Sequence, residues 1–449
     1  MIQNQRIAKL ADKITDVNIA EELYSEYKVF RGLRDINGNG VIAGLTNISQ
    51  VTAKKVVDGV ETPVDGKLYY RGINVEDIVN GFIAEDRFGY EETTYLLLFG
   101  ELPTVDELAD FKALLASYRN LPMEFMRDAI MQTPSRDIMN GLARGVLTLY
   151  YYDDDADNTA VPNVLRQCLQ LIAEFPMLAA YSYNAYRHYK HGDSLVIHSA
   201  EPQLSTAENL LHILRADSNY TKLEARVLDL ALVLHAEHGG GNNSAFAAHV
   251  VSSSGTDVYS TMAAALGSLK GPKHGGANNR VMAMMDEIKA NVKNWHDEGE
   301  IADYLKKILH KEAFDRTGLV YGIGHAIYSK SDPRELLFEG FVKSLSAEKG
   351  RDDEYALYAS IAHLAPELII AERRMYKGVS ANIDFYSGFV YDMLGLPREM
   401  FTPIFAISRI AGWSAHMLEE IVCGGRIIRP AYKSVAPQRE YVPLSARKL

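Results

Sequence analysis

The chain has 449 residues, 47% hydrophobic and 23% charged, the balance of an ordinary globular protein and not of a fibre or a disordered chain. Its 58 acidic and 47 basic side chains leave a formal charge of −11, and no Lys/Arg cluster offers nucleic acid a basic face. No run approaches the roughly 18 apolar residues of a membrane span. The first residues, MIQNQRIAKLADKITD, contain Asp12 and Asp16 and no apolar stretch, so a cytoplasmic protein is expected. Cys168 and Cys423 could form at most one bridge and are expected to be reduced thiols.

In chain order, residues from about 51 to 70 read as short strands. Val56-Val57-Asp58-Gly59 and Asp65-Gly66 are turn signals beside the β-prone Leu68-Tyr69-Tyr70. Helical periodicity follows. Thr104 and Glu107 make a capping box ahead of Leu108, Phe111, Leu115 and Tyr118 on one face. Asp153-Asp154-Asp155 reads as a solvated loop. Thr221 and Glu224 repeat the capping box, with Leu223, Val227, Leu230 and Leu234 behind them, and Gly239-Gly240-Gly241 stops that helix. Further helices are expected over 302–310, 335–346, 354–375 and 408–421. The expected fold is mainly α, with a short β segment near the front.

The glycine clusters fit neither nucleotide-binding loop: Gly239-Gly240-Gly241 follows a helix, and Gly271-Pro272-Lys273-His274 lacks the glycine spacing and hydroxyl of a phosphate loop. What they share is a neighbouring histidine, namely His238, His274 and His325. Glycine lets backbone approach a ligand and aims the adjacent side chain. One such histidine is more often packed or solvated, but three, each in a glycine turn among helices, point to one site. A metal site on His235 and His238, three apart, lacks an HExxH motif or a cysteine pair. No metal is expected.

Asp384 in Asn382-Ile383-Asp384-Phe385-Tyr386-Ser387-Gly388 is either a turn cap or a general base. Arg334, Arg409 and Arg429 are either surface charges or grips for a carboxylate, which arginine binds by two parallel hydrogen bonds. Together these residues suit proton abstraction by a carboxylate near imidazoles, on an acidic substrate.

The ordered set resembles the citrate synthase family. The blocks are Leu234-His235-Ala236-Glu237-His238-Gly239-Gly240-Gly241-Asn242, Gly271-Pro272-Lys273-His274-Gly275-Gly276-Ala277-Asn278, Gly322-Ile323-Gly324-His325-Ala326-Ile327-Tyr328 through Asp332-Pro333-Arg334, and Asn382 through Gly388. The intervals His238 to His274, His274 to His325 and His325 to Asp384 are 36, 51 and 59 residues. Gly66-Lys67-Leu68-Tyr69-Tyr70-Arg71-Gly72 is similar to the family's early hairpin, so the resemblance runs from about residue 40 to 430.

The resemblance implies a mainly α-helical two-domain subunit working as a homodimer. Residues 41–283 and 391–449 would form the large domain, 284–390 a small domain closing over substrates, and 1–40 an N-terminal extension. It implies condensation of oxaloacetate with acetyl-CoA to citrate and CoA, with propionyl-CoA and 2-methylcitrate as the rival, and a silent helical binding homologue as the rival from another class. Acetyl-CoA enters as substrate, and no cofactor is expected. By the same resemblance Asp384 would be the base, His274 the donor to the thioester oxygen and His325 the group polarising the ketone. His238, Arg334, Arg409 and a partner subunit's copy of Arg429 would anchor oxaloacetate. Gly318, Leu319, Val320, Tyr321, Gly322, Ile323 and Gly324, with Lys377, would contact CoA. The chain departs from the family at Ala326, where many relatives have arginine, and at Ser329, Ala381 and Gly239.

Overall fold

The computed structural model describes residues 7, 11, 19–29, 31–34, 40–57, 60–325, 327–373 and 378–447. The chain divides into two compact units, Met1–Thr46 and Asn47–Leu449. The first contains helix α1 (Glu21–Glu26) and an antiparallel bridge between Arg34 and Gly40.

The second opens with an antiparallel sheet of β1 (Ser49–Val57), β2 (Val60–Tyr70) and β3 (Ile73–Asn74), in that order. Helices then follow in chain order: α2 (Val75–Ala84), α3 (Tyr90–Phe99), α4 (Val105–Ser117), α5 (Met123–Phe125, continuing as a wider π turn), α6 (Ile138–Leu149), α7 (Val161–His191), α8 (Thr206–Leu214) and α9 (Lys222–His235). Next come α10 (Asn243–Ser252), α11 (Val258–Leu269), α12 (Ala277–Asn291), α13 (Glu298–Leu309), α14 (Pro333–Lys349), α15 (Asp352–Arg373), α16 (Ile383–Met393) and α17 (Phe401–Val422). Both capping boxes form, Thr104 with Glu107 and Thr221 with Glu224. Phe111 and Leu115 are buried, as their spacing requires. The helix α9 ends at His235, before the three glycines, which belong to the loop that follows.

Two long helices build the core and are buried on nearly every side. In α7 every residue from Gln167 to Tyr183 except Gln170 is buried, and in α17 every residue from Phe401 to Met417 except Thr402 and Phe405. Burial on nearly every side leaves this stretch of α7 no exposed polar face to set against an apolar one. The helix α17 packs against α3, α7, α9 and α10. Tyr90 on α3 donates its hydroxyl to Ile407 O at 2.8 Å, fixing the register of the crossing.

Two expectations need correction. Asp153 is not simply solvated: its carboxylate accepts from Arg166 at 2.7 Å, Gln167 at 2.7 Å and Tyr259 at 2.8 Å, pinning the loop onto α7 and α11. Asp65-Gly66 is no turn but a bulge inside β2, opposite a register shift between Thr52 and Lys54. The other signal lies at the β1–β2 junction, where Val57 pairs with Val60, and its Asp58-Gly59 falls outside the described residues. The bulge is held from outside the sheet. Gly66 N–H donates to Ser331 O at 3.2 Å, and a Cβ on Gly66 would overlap that carbonyl and the ring of Tyr328. Because a backbone carbonyl cannot step aside cheaply, Gly66→Ala is expected to destabilise by about 1–3 kcal/mol in a urea titration, with Tyr328 displaced.

Candidate active site

Four junctions between loops and helices carry the histidines and the carboxylate, while Arg334 opens α14 and Arg409 lies within α17. The first follows α9. His235 ties its ring to Ala231 O at 2.9 Å and packs against Phe405, so it is a structural residue. The chain then reverses at Gly239, whose φ of 88° is left-handed, and Asn242 caps α10 by accepting from Ala245 N–H at 3.0 Å. The reversal leaves His238 buried, its Nε2 3.2 Å from the Tyr328 hydroxyl and its ring edge-on to His325 at 5.2 Å. Burial, reinforced by the charges of Arg334, His325 and Arg409, holds this imidazole well below its ordinary range, so it is neutral.

The second junction is the tight loop between α11 and α12. Gly275 N–H donates to Leu269 O at 2.9 Å, and a Cβ on Gly276 would stand 2.9 Å from Pro272 Cα, so the turn needs glycine. His274 sits just ahead of α12. Trp413 Nε1, which can only donate, gives its hydrogen to Ser244 Oγ at 3.1 Å, Ser244 donates its own to Asn242 Oδ1 at 3.0 Å, and Ser244 Oγ lies 2.9 Å from His274 Nε2, so the ring is anchored through Nε2. Burial, then Arg409, bring its pKa down to about 4, so the ring is a neutral donor at physiological pH.

The third and fourth junctions are locked together. Ile323 bridges Ala381, Gly324 N–H donates to Ser380 O at 2.7 Å, Asn382 N–H to Gly322 O at 2.9 Å, and Asn382 Nδ2 to Gly324 O at 2.8 Å. Gly322 has φ 78°, and a Cβ there would lie 2.9 Å from Phe385 Cα. This pairing carries His325 on one strand and, one residue into the capped helix α16, Asp384 on the other. His325 Nδ1 accepts from Ile327 N–H at 3.1 Å and Tyr328 N–H at 3.3 Å, which puts its ring hydrogen on Nε2. Burial pushes the Asp384 carboxyl up to about 6; Asp332 adds to the rise, while Arg334 and Arg409 oppose it.

Arg334, in the first turn of α14, is buried and paired with Asp332, Nε to Oδ1 at 3.0 Å and Nη2 to Oδ2 at 2.7 Å. Arg409, also buried, donates from Nε to His235 O at 2.7 Å and crosses the Phe405 ring at 4.8 Å. The charges of both arginines reach Asp384 and His238, so the structure brings His238, His325, Asp384, Arg334 and Arg409 into one electrostatic neighbourhood, with His274 joined through Arg409. Arg429 is not among them: it is exposed in the segment after α17. Of the 318–324 loop, Gly318 O accepts from Arg373, Tyr321 donates to Asp315 at 2.6 Å, Val320 is buried and Leu319 exposed. Lys377, like Ala326, falls outside the described residues.

Three participants went without a role in the sequence reading. Tyr328, stacked on His325 at 4.9 Å and hydrogen-bonded to His238, joins two histidines 87 residues apart in sequence. Ser244, which also accepts from Trp413, anchors the ring of His274. Tyr328 and Ser244 lie within or beside the quoted motifs, but nothing in sequence says which way their hydroxyls face. Among the described residues no group of three His, Cys, Asp or Glu could hold a metal, and no helix is long and apolar enough to cross a membrane.

By fold and site this is a mainly α-helical enzyme arranged for acid–base chemistry. The profile of a family described as "Citrate synthase, C-terminal domain" matches residues 36–431. The citrate synthase of Synechocystis sp. is 32% identical over 91% of this chain and 92% of its own length. The 2-methylcitrate synthase 1 of Corynebacterium glutamicum is 32% identical over 94% of this chain and 100% of its own. The solved citrate synthase of Pyrobaculum aerophilum matches with a TM-score of 0.73 at 30% identity, over 92% of this chain and 95% of that one. The chain belongs to the citrate synthase family, and like its members it is a transferase.

Proposed function

We propose that this enzyme condenses acetyl-CoA with oxaloacetate and water to citrate and CoA, the entry step of the tricarboxylic acid cycle. The observation that carries the reading is Asp384, a carboxylate whose pKa of about 6 makes it a stronger base than a free aspartate while leaving it ionised at neutral pH. The methyl group of acetyl-CoA is a very weak acid, so its ionisation needs the negative charge on the thioester oxygen to be met as it forms. His274, neutral and anchored through Nε2 on Ser244, suits that role. His325, with its hydrogen on Nε2, suits polarisation of the oxaloacetate ketone and protonation of the alkoxide as the carbon–carbon bond closes. Hydrolysis of the citryl thioester releases CoA.

His238, Arg334 and Arg409 anchor the two carboxylates of oxaloacetate in this reading, with Arg429 supplied across a homodimer. The 318–324 loop and Lys377 receive CoA, and residues 284–390 close over the pair. The reaction needs no cofactor, and the enzyme works in the cytoplasm. Of the named relatives, some make citrate and others 2-methylcitrate. The two differ by one methylene of the acyl group, worth about 1–3 kcal/mol in a pocket.

Thiol release from acetyl-CoA, with and without oxaloacetate and repeated with propionyl-CoA, tests the proposal. Oxaloacetate-dependent release favouring acetyl-CoA is expected; faster release from propionyl-CoA would transfer the name to 2-methylcitrate formation, and none from either would leave a silent homologue. The pH profile is a second check. Asp384 accepts a proton only when ionised, so kcat/KM is expected to fall tenfold per unit below about pH 6. A flat profile down to pH 5 would remove Asp384 from the role of base.

A further inference from the structure

Four titratable side chains outside this machinery form one unbroken chain. Glu237 Oε1 lies 3.0 Å from His416 Nε2, His416 Nδ1 lies 3.1 Å from His249 Nε2, and His249 Nδ1 lies 3.0 Å from Glu420 Oε2. The inner end, Glu237, precedes His238 and is wholly buried. It accepts the Ser49 hydroxyl at 2.9 Å and feels the charge of Arg409. The outer end, Glu420, borders a surface cleft with Ser252, Ser253 and Thr256. The glycine loop rests on both rings: a Cβ on Gly240 would stand 3.1 Å from His416 Cε1 and 3.3 Å from His249 Nε2.

The geometry counts the protons. An ionised carboxylate only accepts, so His416 Nε2 and His249 Nδ1 each carry a hydrogen. The two facing ring nitrogens need one between them. With none, two lone pairs oppose each other; with two, N–H faces N–H between two imidazolium ions. Three hydrogens on two rings make one neutral imidazole and one imidazolium, which against two carboxylates leaves a net charge of −1.

We propose that Glu237, His416, His249 and Glu420 are a positioning relay whose central proton answers the charge at Arg409 and sets the pH dependence of oxaloacetate binding. The proposal rests on Arg409 anchoring oxaloacetate. With the central proton on His416, the imidazolium cancels Glu237 and leaves Arg409 to an incoming carboxylate. With the proton on His249, the imidazolium moves beside Glu420, and Glu237 faces a neutral ring and competes for Arg409. Substrate arrival favours the first state by shifting one proton along a hydrogen bond, with no net gain or loss. Loss of that proton as pH rises leaves Glu237 uncancelled and weakens oxaloacetate binding. The other groups facing the relay do not supply this change. Arg409 keeps its charge, Tyr70 against Glu237 is held protonated by burial, and Glu419, whose charge reaches His249, lies on the same helix as Glu420. Burial, then His416, keep the pKa of His249 below its ordinary value, which brings the outer ring toward release of the proton.

His249→Gln keeps an amide donor toward His416 but cannot pass a proton, and Glu420→Gln removes the outer carboxylate. Kinetics between about pH 5 and 8 should show the wild-type KM for oxaloacetate rising about fivefold, and both variants flattening that rise to less than about twofold with kcat little changed. The ¹⁵N spectrum of the histidine-labelled full chain should show one ring pair sharing three hydrogens. Variants whose KM follows the wild-type curve, or a spectrum with both facing nitrogens bare, would overturn the relay. A wild type showing no oxaloacetate-dependent thiol release would instead sink the citrate reading, and the ring spectrum, which needs no substrate, would still decide the relay.

Discussion

Asp384→Asn is expected to bind oxaloacetate as the wild type does, within about threefold, and to lose about 10²–10⁴ in turnover, because the amide occupies the same space without accepting the substrate proton. The same substitution should stabilise the protein. The carboxyl pKa is raised from 3.8 to about 6, chiefly by burial, so the folded state prefers the protonated acid and resists the charge it carries at neutral pH. That cost is absent below 3.8, where the group is protonated in both states, grows between 3.8 and about 6, and is complete above. At 1.36 kcal/mol per unit it reaches up to about 3 kcal/mol. Denaturant unfolding of the two proteins at pH 7.5 and pH 4.5 would show it. A variant more stable at the higher pH, by a margin that shrinks at the lower, is the expected result. Loss of stability at both would mean that the charges of Arg334 and Arg409 outweigh burial.

Arg409→Leu should show the opposite signature, with oxaloacetate affinity lost and turnover at saturation largely kept. Arg409 is 1% exposed, and its charge stands against the buried Glu237. Truncating one partner of a buried charge pair costs about 2–5 kcal/mol, which is roughly 30-fold to several thousand-fold in affinity. The variant should also unfold at lower denaturant, since losing the bond to His235 O leaves a buried acceptor unsatisfied at a cost of about 1–3 kcal/mol and Glu237 loses the charge of Arg409. Arg409→Lys separates the two effects. It restores the charge beside Glu237, and hence most of the stability, without the planar fork that grips a carboxylate by two hydrogen bonds. Titration calorimetry with oxaloacetate, alongside the unfolding curves, reads both. Equal loss of binding in the Asp384 and Arg409 variants would break the division of roles.

Local chemistry was legible in the sequence. Both capping boxes formed, because a Thr and a Glu three residues on need no tertiary help to satisfy a helix start. The glycine–histidine clusters pointed to one site, because each glycine permits a turn or a close approach that another residue would block, as at Gly275, Gly276 and Gly322. A carboxylate in the Asn382–Gly388 turn was a candidate base on its residue type alone. Where the local signal had two readings the tertiary structure chose: Asp65-Gly66 became a bulge under Tyr328, and Asp153 an anchor for Arg166 and Tyr259. The helix α7 went unread because burial on nearly every side from Gln167 to Tyr183 leaves that stretch no exposed face, whereas most of α17 was expected over 408–421.

What the sequence by itself determined is therefore the mainly helical class, the capped helix starts and the set of residue types able to move a proton. Only the tertiary structure decided their states. Asp384 is held at about 6 and His274 at about 4 because burial and arginines remote in sequence surround them. The ring of His274 is anchored on Ser244, which also accepts from Trp413, 169 residues further along the chain. His249 meets Glu420 across 171 residues, and His416 meets Glu237 across 179. A hydrogen bond between such residues exists only once the helices between them have packed, so no local pattern in the chain encodes it.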